Sequence, residues 1–101
     1  MFPVAYALEF NEAHTNVTRH LFFLYDDYEA LGLFNDALQR ALVNVRAFPE
    51  AYPRTGKARR RFVFEFRSIP YVVLYAFDGE LIVLHDIHFA RSAQTAHWLS
   101  E

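Results

Sequence analysis

The sequence contains no cysteine and only three glycines among its 101 residues. The absence of cysteine excludes disulfide bonds, thiolate nucleophiles and cysteine-ligated metal sites. With so few glycines, the chain has no glycine-rich loop of the kind that cradles phosphate groups through backbone N–H donors. We therefore expect a domain held together by its hydrophobic core, with a function that needs neither sulfur chemistry nor a nucleotide-binding loop.

Long hydrophobic runs and an excess of positive charge are also missing. The longest run without a charged side chain, residues 68–77, has ten residues, whereas a membrane-spanning helix needs about 20. No basic segment followed by an apolar one opens the chain, so we expect no secretion signal. The net charge is −2 and the isoelectric point is about 6.2, which does not favour nucleic-acid binding. We expect a cytoplasmic protein that contacts no membrane and makes no direct sequence-specific contact with nucleic acid.

Hydrophobic and aromatic side chains are abundant. They make up 53% and 18% of the chain, with eleven Phe and six Tyr. Because typical domains are only about 45–50% apolar, we expect some of this surface to face a partner. A chain of this length forms one domain with a single modest core, so residues 1–101 are predicted to be one unit.

The first part of the chain predicts a strand followed by a helix. Residues 4–10 alternate large and small side chains, which favours a strand. Asn11 is placed to cap a helix in which Val17 and Leu21 recur at helical spacing.

A second helix is predicted between Asp27, as its N-cap, and Pro49, which disfavours helical backbone in the residue before it. Gly32 either permits close packing or marks the true start of this helix. One apolar stripe runs along it: Phe34, Leu38, Ala41, Leu42, Val45 and Phe48.

After a loop over residues 49–60, three strands are predicted, at 61–67, 71–77 and 80–88. The Asp78-Gly79 pair indicates a tight hairpin between the last two strands, and such a short turn requires antiparallel pairing. The order is β-α-α-β-β-β, an α+β fold with a two-helix hairpin packed on an antiparallel sheet.

Both faces of the predicted hairpin are apolar. A two-residue loop would place Leu74 opposite Val83, with Val72 on the same face. The helices can cover only the other face. We therefore expect a loop, the C-terminal tail or a partner chain to cover this one, and a partner is the interpretation we favour.

The sequence offers little catalytic chemistry. His85 and His88 are three residues apart on a predicted strand, which places them on opposite faces and disfavours a metal site. Glu65 and Asp86 do not form a recognisable acid–base pair. We expect no metal and no cofactor.

Cationic and aromatic side chains gather near the end of the sheet. His88, Arg91, His97 and Trp98 follow or end the last strand, in a pattern suited either to sheet-end packing or to binding a phosphate, carboxylate or base. Half of the basic residues fall within eight positions, which indicates either a solvated loop or a docking surface for acidic groups. They are Arg54, Lys57, Arg59, Arg60 and Arg61.

The chain resembles the RelE/ParE superfamily of toxins from bacterial type II toxin–antitoxin modules over nearly its whole length. The shared features are an early strand ending in Phe10 and a second helix that closes with Phe48-Pro49-Glu50. The aromatic run 70–75, the acidic-Gly turn and the segment 88–91 follow in the family's order. His88-x-x-Arg91 resembles the family's His-x-Arg-Arg, and Trp98 stands where many members have a closing Trp.

The resemblance implies a toxin that is neutralised by a cognate antitoxin. Members that cut messenger RNA on the ribosome place Lys or Arg on the open face of the first two C-terminal strands. Here those positions hold Val63, Glu65 and Val72, which cannot neutralise a phosphate. The chain therefore looks nearer to the ParE branch, whose members resemble non-enzymatic inhibitors of DNA gyrase. The alternatives are a ribosome-dependent endoribonuclease and a degenerate, non-toxic binding module.

The resemblance and the residue pattern together nominate two sets of contacts, with no catalytic residue assigned. The expected target-binding residues are Arg91, supported by His88 and Trp98, with Arg59, Arg60, Arg61 and Arg67. The expected antitoxin contacts are Val72, Leu74 and Val83.

Overall fold

A computed structural model of the chain describes residues 1–56 and 58–91, in which two helices pack on one face of a five-stranded sheet. The order β-α-α-β-β-β predicted from the sequence is confirmed, with one additional two-residue strand before the last three. The elements are β1 (Val4–Tyr6), α1 (Leu8–Tyr25), α2 (Tyr28–Ala47), β2 (Arg54–Thr55), β3 (Arg59–Phe66), β4 (Ile69–Phe77) and β5 (Ile82–Phe89). No helix within these residues is long and apolar enough to cross a membrane.

The strands lie in the order β1-β5-β4-β3-β2. β1 runs parallel to β5, while the other neighbours are antiparallel. The chain therefore begins its fold beside the last strand, and α1 and α2 return it to the opposite edge.

The first strand is shorter than predicted. It ends at Tyr6, and the N–H of Ala7 donates to the carbonyl of Leu84 at 2.9 Å before α1 begins at Leu8. Asn11 is therefore not the N-cap, and Phe10 is a buried residue of α1. The large–small alternation over residues 4–10 is compatible with one long strand and also with a short strand followed by a helix. In the structure, the buried face of α1 starts at Phe10 and continues at helical spacing.

The second helix follows the sequence prediction closely. The carboxylate of Asp27 accepts a hydrogen bond from the N–H of Glu29 at 2.9 Å, which confirms the N-cap. The helix ends at Ala47, but Phe48 turns away from the predicted apolar stripe and is 67% exposed. Gly32 lies inside the helix, and a Cβ atom there would meet nothing within 4 Å, so neither explanation offered for this glycine is correct.

The hairpin between β4 and β5 has a longer loop than predicted. The carboxylate of Asp78 accepts hydrogen bonds from the N–H groups of Glu80 and Leu81, at 2.9 and 2.8 Å. These bonds hold residues 78–81 as the loop, so Ile82 pairs with Phe77 rather than with the residue two positions earlier. The shift of two residues leaves the predicted faces unchanged over this part of the hairpin.

A β-bulge then interrupts the hairpin. Leu84 pairs with Tyr75 and Asp86 with Leu74, which leaves His85 as the extra residue on β5. Because one extra residue reverses the alternation, every later side chain of β5 lies on the face opposite to that of a regular strand. The bulge decides which part of β5 faces the helices and which faces away.

The core fills the space between the helices and the sheet, and Phe34 of α2 lies near its centre. Its ring centroid is 5.5 Å from that of Phe64, 5.6 Å from Phe66 and 5.0 Å from Tyr71. Burial of each large side chain stabilises the fold by roughly 1.5–3 kcal/mol, and aromatic pairs at this spacing add to it. The opposite face of the sheet, called here the open face, has a second small cluster of Val72 and Leu74.

Candidate target-binding site

Arg91 lies at the end of the sheet where β5 finishes and β4 begins. The N–H of Ala90 donates to the carbonyl of Pro70 at 3.0 Å, which positions the turn that carries Arg91. Arg91 is exposed and borders a cavity of about 430 Å³ with otherwise mainly apolar walls, Ile69, Pro70 and Phe89 among them. A guanidinium beside apolar walls can bind a carboxylate or phosphate while the walls contact the rest of the partner.

His88 lies on the open face, where it pairs with Asp86. The imidazole Nε2 atom is 3.0 Å from Oδ1 of Asp86, and the same oxygen accepts the N–H of Ile87 at 2.9 Å. Burial raises the pKa of Asp86 above its ordinary value, and the electrostatic attraction of His88 opposes part of that rise. His88 is therefore in contact with a carboxylate on this face rather than isolated from other polar side chains.

The bulge also brings His85 into this region. Its Nδ1 atom lies 2.7 Å from Oε1 of Glu9, which is 3.7 Å from Nη2 of Arg59. Glu9 and Arg59 also influence the pKa of Asp86. His85 and His88 thus belong to one group of ionisable side chains, and the prediction that they lie on opposite faces is wrong because it assumed a regular strand. We call this group the charged cluster: Glu9, Arg59, His85, Asp86 and His88.

The three consecutive arginines lie at the other end of the sheet, beside the 78–81 loop. Nη1 of Arg60 donates to the carbonyl of Tyr52 at 2.7 Å, and Nη1 of Arg61 donates to the carbonyl of Arg54 at 3.1 Å. Both guanidinium groups are held by backbone oxygens of the segment next to them.

Two of the predicted target-binding residues, Arg91 and Arg67, therefore lie apart from the three consecutive arginines. β4 runs for nine residues between the two ends of the sheet, which corresponds to roughly 25 Å at the usual rise of a strand. Arg91 and Arg67 lie towards one end, whereas Arg59, Arg60 and Arg61 lie at the other. The charged cluster, which includes both Arg59 and His88, extends along the open face from the end with the three arginines towards the other end.

Arg67 has a structural role in the turn between β3 and β4. Arg67 and Ser68 have φ angles of 51° and 66°, in the left-handed region. The guanidinium carbon of Arg67 lies 4.4 Å from the ring centroid of Tyr25 and 5.2 Å from that of Phe66. These cation–π contacts tie the turn to the end of α1.

On the open face of this chain, no cation stands at the three positions where the RNA-cutting members of the RelE/ParE superfamily carry Lys or Arg. Val63 pairs directly with Val72 across β3 and β4, and Glu65 is exposed two residues further along β3. Val63 is 57% exposed, whereas Val72 is only 1% exposed. Neither valine can transfer a proton or neutralise a phosphate. The carboxylate of Glu65 can accept a proton, but it adds negative charge at this surface.

The predicted antitoxin contacts differ in accessibility. Val72 and Leu74 are 1% and 3% exposed within the chain itself, and Val83 is half-buried. The large exposed hydrophobic side chains lie mainly on the helices and their connections instead. Those on the helices and their connections are Leu8, Phe23, Leu24, Tyr28, Leu33, Val43 and Phe48.

Lys57, His97 and Trp98 lie outside the described residues. Sequence reasoning missed the charged cluster, because Glu9 is far from β5 along the chain and its contact with His85 depends on the bulge. The only signal available was the closely spaced run of titratable residues from His85 to His88.

No protein-family model matches this chain, and no curated protein matches it either. What the structure defines is a small α+β domain with two helices on a mixed five-stranded sheet.

Proposed function

We propose that the protein is the toxin component of a type II toxin–antitoxin pair, similar to the ParE branch of the RelE/ParE superfamily. It acts by binding a protein target, with DNA gyrase as the first candidate, and a cognate antitoxin neutralises it. The order of elements agrees with the resemblance in the sequence.

The observation that carries the binding role is the chemistry of the open face. Val63 and Val72 occupy its centre, with Glu65 beside them. The nearby histidine, His88, is paired with a carboxylate at 3.0 Å. Cleavage of RNA by its own 2′-hydroxyl develops negative charge that cations must stabilise, and carboxylates at this surface oppose it. A binding role requires no such groups.

Arg91 and its apolar cavity are the proposed contact with the target. An exposed guanidinium next to Phe89 and Pro70 suits a partner surface that combines an acidic and an apolar side chain. The antitoxin is proposed to cover exposed apolar surface. The exposed side chains of the helical hairpin, such as the 89%-exposed Phe23, make that hairpin a more accessible docking surface than Leu74.

The proposal is tested by inducing the protein in bacteria and measuring growth, DNA supercoiling and translation separately. We expect growth to stop, supercoiling by gyrase to fail and translation to continue. Co-expression with the product of the neighbouring gene should restore growth and yield a stable complex. The same supercoiling assay with purified gyrase removes indirect effects.

Two results would reject this function in different ways. Cleavage of messenger RNA on programmed ribosomes by the purified protein would identify a nuclease. Normal growth on induction, with a monodisperse protein that the neighbouring gene product does not affect, would leave a non-toxic binding module.

A further inference from the structure

We propose that a cleft beside the 78–81 loop binds the carboxylate groups of an acidic segment in a protein partner. The cleft has a volume of about 350 Å³ and lies at the end of the sheet opposite to Arg91. Its lining includes Arg54, Arg59, Arg60, Phe77, Glu50 and Asp78. Three of these six side chains are arginines.

Arg60 of the cleft, and Arg61 next to it outside the cleft, are oriented without losing their charge. Arg60 donates from Nη1 to the carbonyl of Tyr52, and the neighbouring Arg61 donates in the same way to the carbonyl of Arg54. A backbone carbonyl is a neutral acceptor, so each bond positions the guanidinium and leaves its positive charge in place. Because a guanidinium has five N–H donors, further donors remain for a ligand.

Two of the three cleft arginines, Arg54 and Arg60, form no salt bridge with a carboxylate of the described residues, whereas Arg59 lies 3.7 Å from the carboxylate of Glu9. Within residues 1–56 and 58–91, the salt bridges join Glu9 to Arg59 and His85, and Asp86 to His88. The carboxylate of Asp78, on the rim of the cleft, instead accepts the N–H groups of its own loop, and those hydrogen bonds lower its pKa. Arg54 and Arg60 are therefore the guanidinium groups of the cleft that remain available to an external carboxylate, in a chain whose net charge is −2.

The shape and charge of the cleft favour spaced carboxylates over a nucleic-acid backbone. Glu50 and Asp78 also line the cleft and repel a continuous row of phosphates, whereas a single carboxylate needs only one guanidinium group to bind. Phe77 offers an apolar wall for the methylene groups of a Glu side chain. The biological identity of the partner, an antitoxin or a target, rests on the proposed function, but the preference for carboxylates does not.

A synthetic hexaglutamate peptide tests the site on the full chain by isothermal titration calorimetry at low salt. The loss of one charge-assisted contact weakens binding by roughly tenfold or more. We therefore expect Arg54→Glu, which reverses an exposed charge in the cleft, to raise the Kd by at least about tenfold. Arg40→Glu makes the same charge change at an exposed position of α2 and should leave the Kd within about twofold.

Amide chemical shifts of the unmodified chain give a measurement that does not depend on a variant folding. The peptide should shift the signals of Phe77 and Gly79, which line the cleft, and not those of the Arg91 turn. Inorganic phosphate and a single-stranded oligonucleotide serve as competing probes. Absence of binding, equal losses in both variants, or tighter binding of the oligonucleotide than of the peptide would each overturn the proposal.

The outcome is separable from that of the proposed function. If the chain binds the peptide in the cleft but does not arrest growth, the cleft proposal stands and the toxin function is rejected. If the chain arrests growth but does not bind the peptide, the toxin function stands and the cleft proposal is rejected.

Discussion

The imidazole of His88 and the carboxyl of Asp86 are 3.0 Å apart on the sheet face that the helices leave open. Asp86 is desolvated there, which raises its pKa, and the attraction of His88 only partly offsets that effect. Asp86 is therefore a position where pH acts on this face of the molecule.

Asp86→Asn should become more stable relative to the unmodified protein as the pH rises above 3.8, the ordinary pKa of an aspartic acid. The folded state binds the proton more tightly than the unfolded state does, so the contribution of Asp86 is greatest below 3.8 and is lost as the pH rises through the folded pKa. Urea unfolding at a series of pH values measures this difference. The exposed helical variant Asp36→Asn is the control, and a pH-independent difference at position 86 would contradict the prediction.

Tyr75→Phe should destabilise the fold by about 1–2 kcal/mol, whereas Tyr71→Phe should have almost no effect or stabilise it slightly. The hydroxyl of Tyr75 donates to the carbonyl of Pro49 at 2.6 Å, and its removal leaves that buried oxygen without its donor. The hydroxyl of Tyr71 is buried and has no hydrogen-bond partner among the described residues. Chemical denaturation of both variants provides the comparison, and equal losses would show that the hydrogen bond to Pro49 contributes little.

Alkaline pH should unfold the protein. Burial raises the pKa of Tyr71 and of Tyr75 from 10.0 to about 12. Because the folded state retains both protons, the contribution of these two tyrosines to stability is constant below pH 10 and is lost as the pH rises from 10 towards about 12. Tyrosinate absorbance and circular dichroism recorded together should change in the same pH range. Ionisation of all six tyrosines near pH 10 with the fold intact is the result that the burial of these rings does not allow.

Arg91→Ala should leave the melting temperature nearly unchanged and weaken target engagement. The side chain is exposed, and the turn that carries it is fixed by the backbone bond between Ala90 and Pro70. Loss of a charge-assisted contact should weaken binding by roughly tenfold or more. Arg40→Ala, on the exposed side of α2, is the matched control. If Arg91→Ala retains full activity or unfolds the protein, the site assignment is wrong.

Ser68→Gly should stabilise the protein by about 0.5–1 kcal/mol. Ser68 has a φ angle of 66°, which costs energy for a residue with a Cβ atom and costs glycine little. Gly79→Ala tests the opposite change. Gly79 has a φ angle of 101°, which is unfavourable for alanine, and an added Cβ would touch nothing within 4 Å, so the backbone conformation alone should lower the stability. Thermal unfolding should show an increase in Tm for the first variant and a decrease for the second. A decrease for both would point to a loss specific to the Ser68 side chain.

Local signals in the sequence predicted most of the fold. Asp27 and Pro49 define the ends of α2 because a cap and a proline act within one turn of the chain. The Asp78-Gly79 pair located the hairpin correctly but not its loop length, which depends on the hydrogen bonds that the N–H groups of Glu80 and Leu81 donate to the carboxylate of Asp78.

Features that depend on distant contacts could not be predicted in this way. The bulge at His85 lies where the first turn of α1 meets β5. The side chain that contacts His85 is Glu9, which comes from the other end of the chain. Phe48 fits the periodicity of α2, yet the helix has already ended there. The candidate site was therefore only partly predictable: Arg91 and His88 could be nominated, while the separation of Arg91 from the consecutive arginines and the place of His88 in one cluster with Arg59 could not.

The parallel pairing of β1 with β5 also determines when the domain can finish folding. Val4 pairs with Ile82, so the first strand cannot join the sheet until the last strand has been synthesised. Contacts between such distant residues slow folding, because the chain between them must be ordered before the pairing stabilises it. The growing polypeptide at the ribosome therefore lacks the complete sheet, together with the bond between Glu9 and His85. Any activity that depends on the complete sheet would therefore require a chain synthesised through β5, and shorter nascent chains would lack that activity.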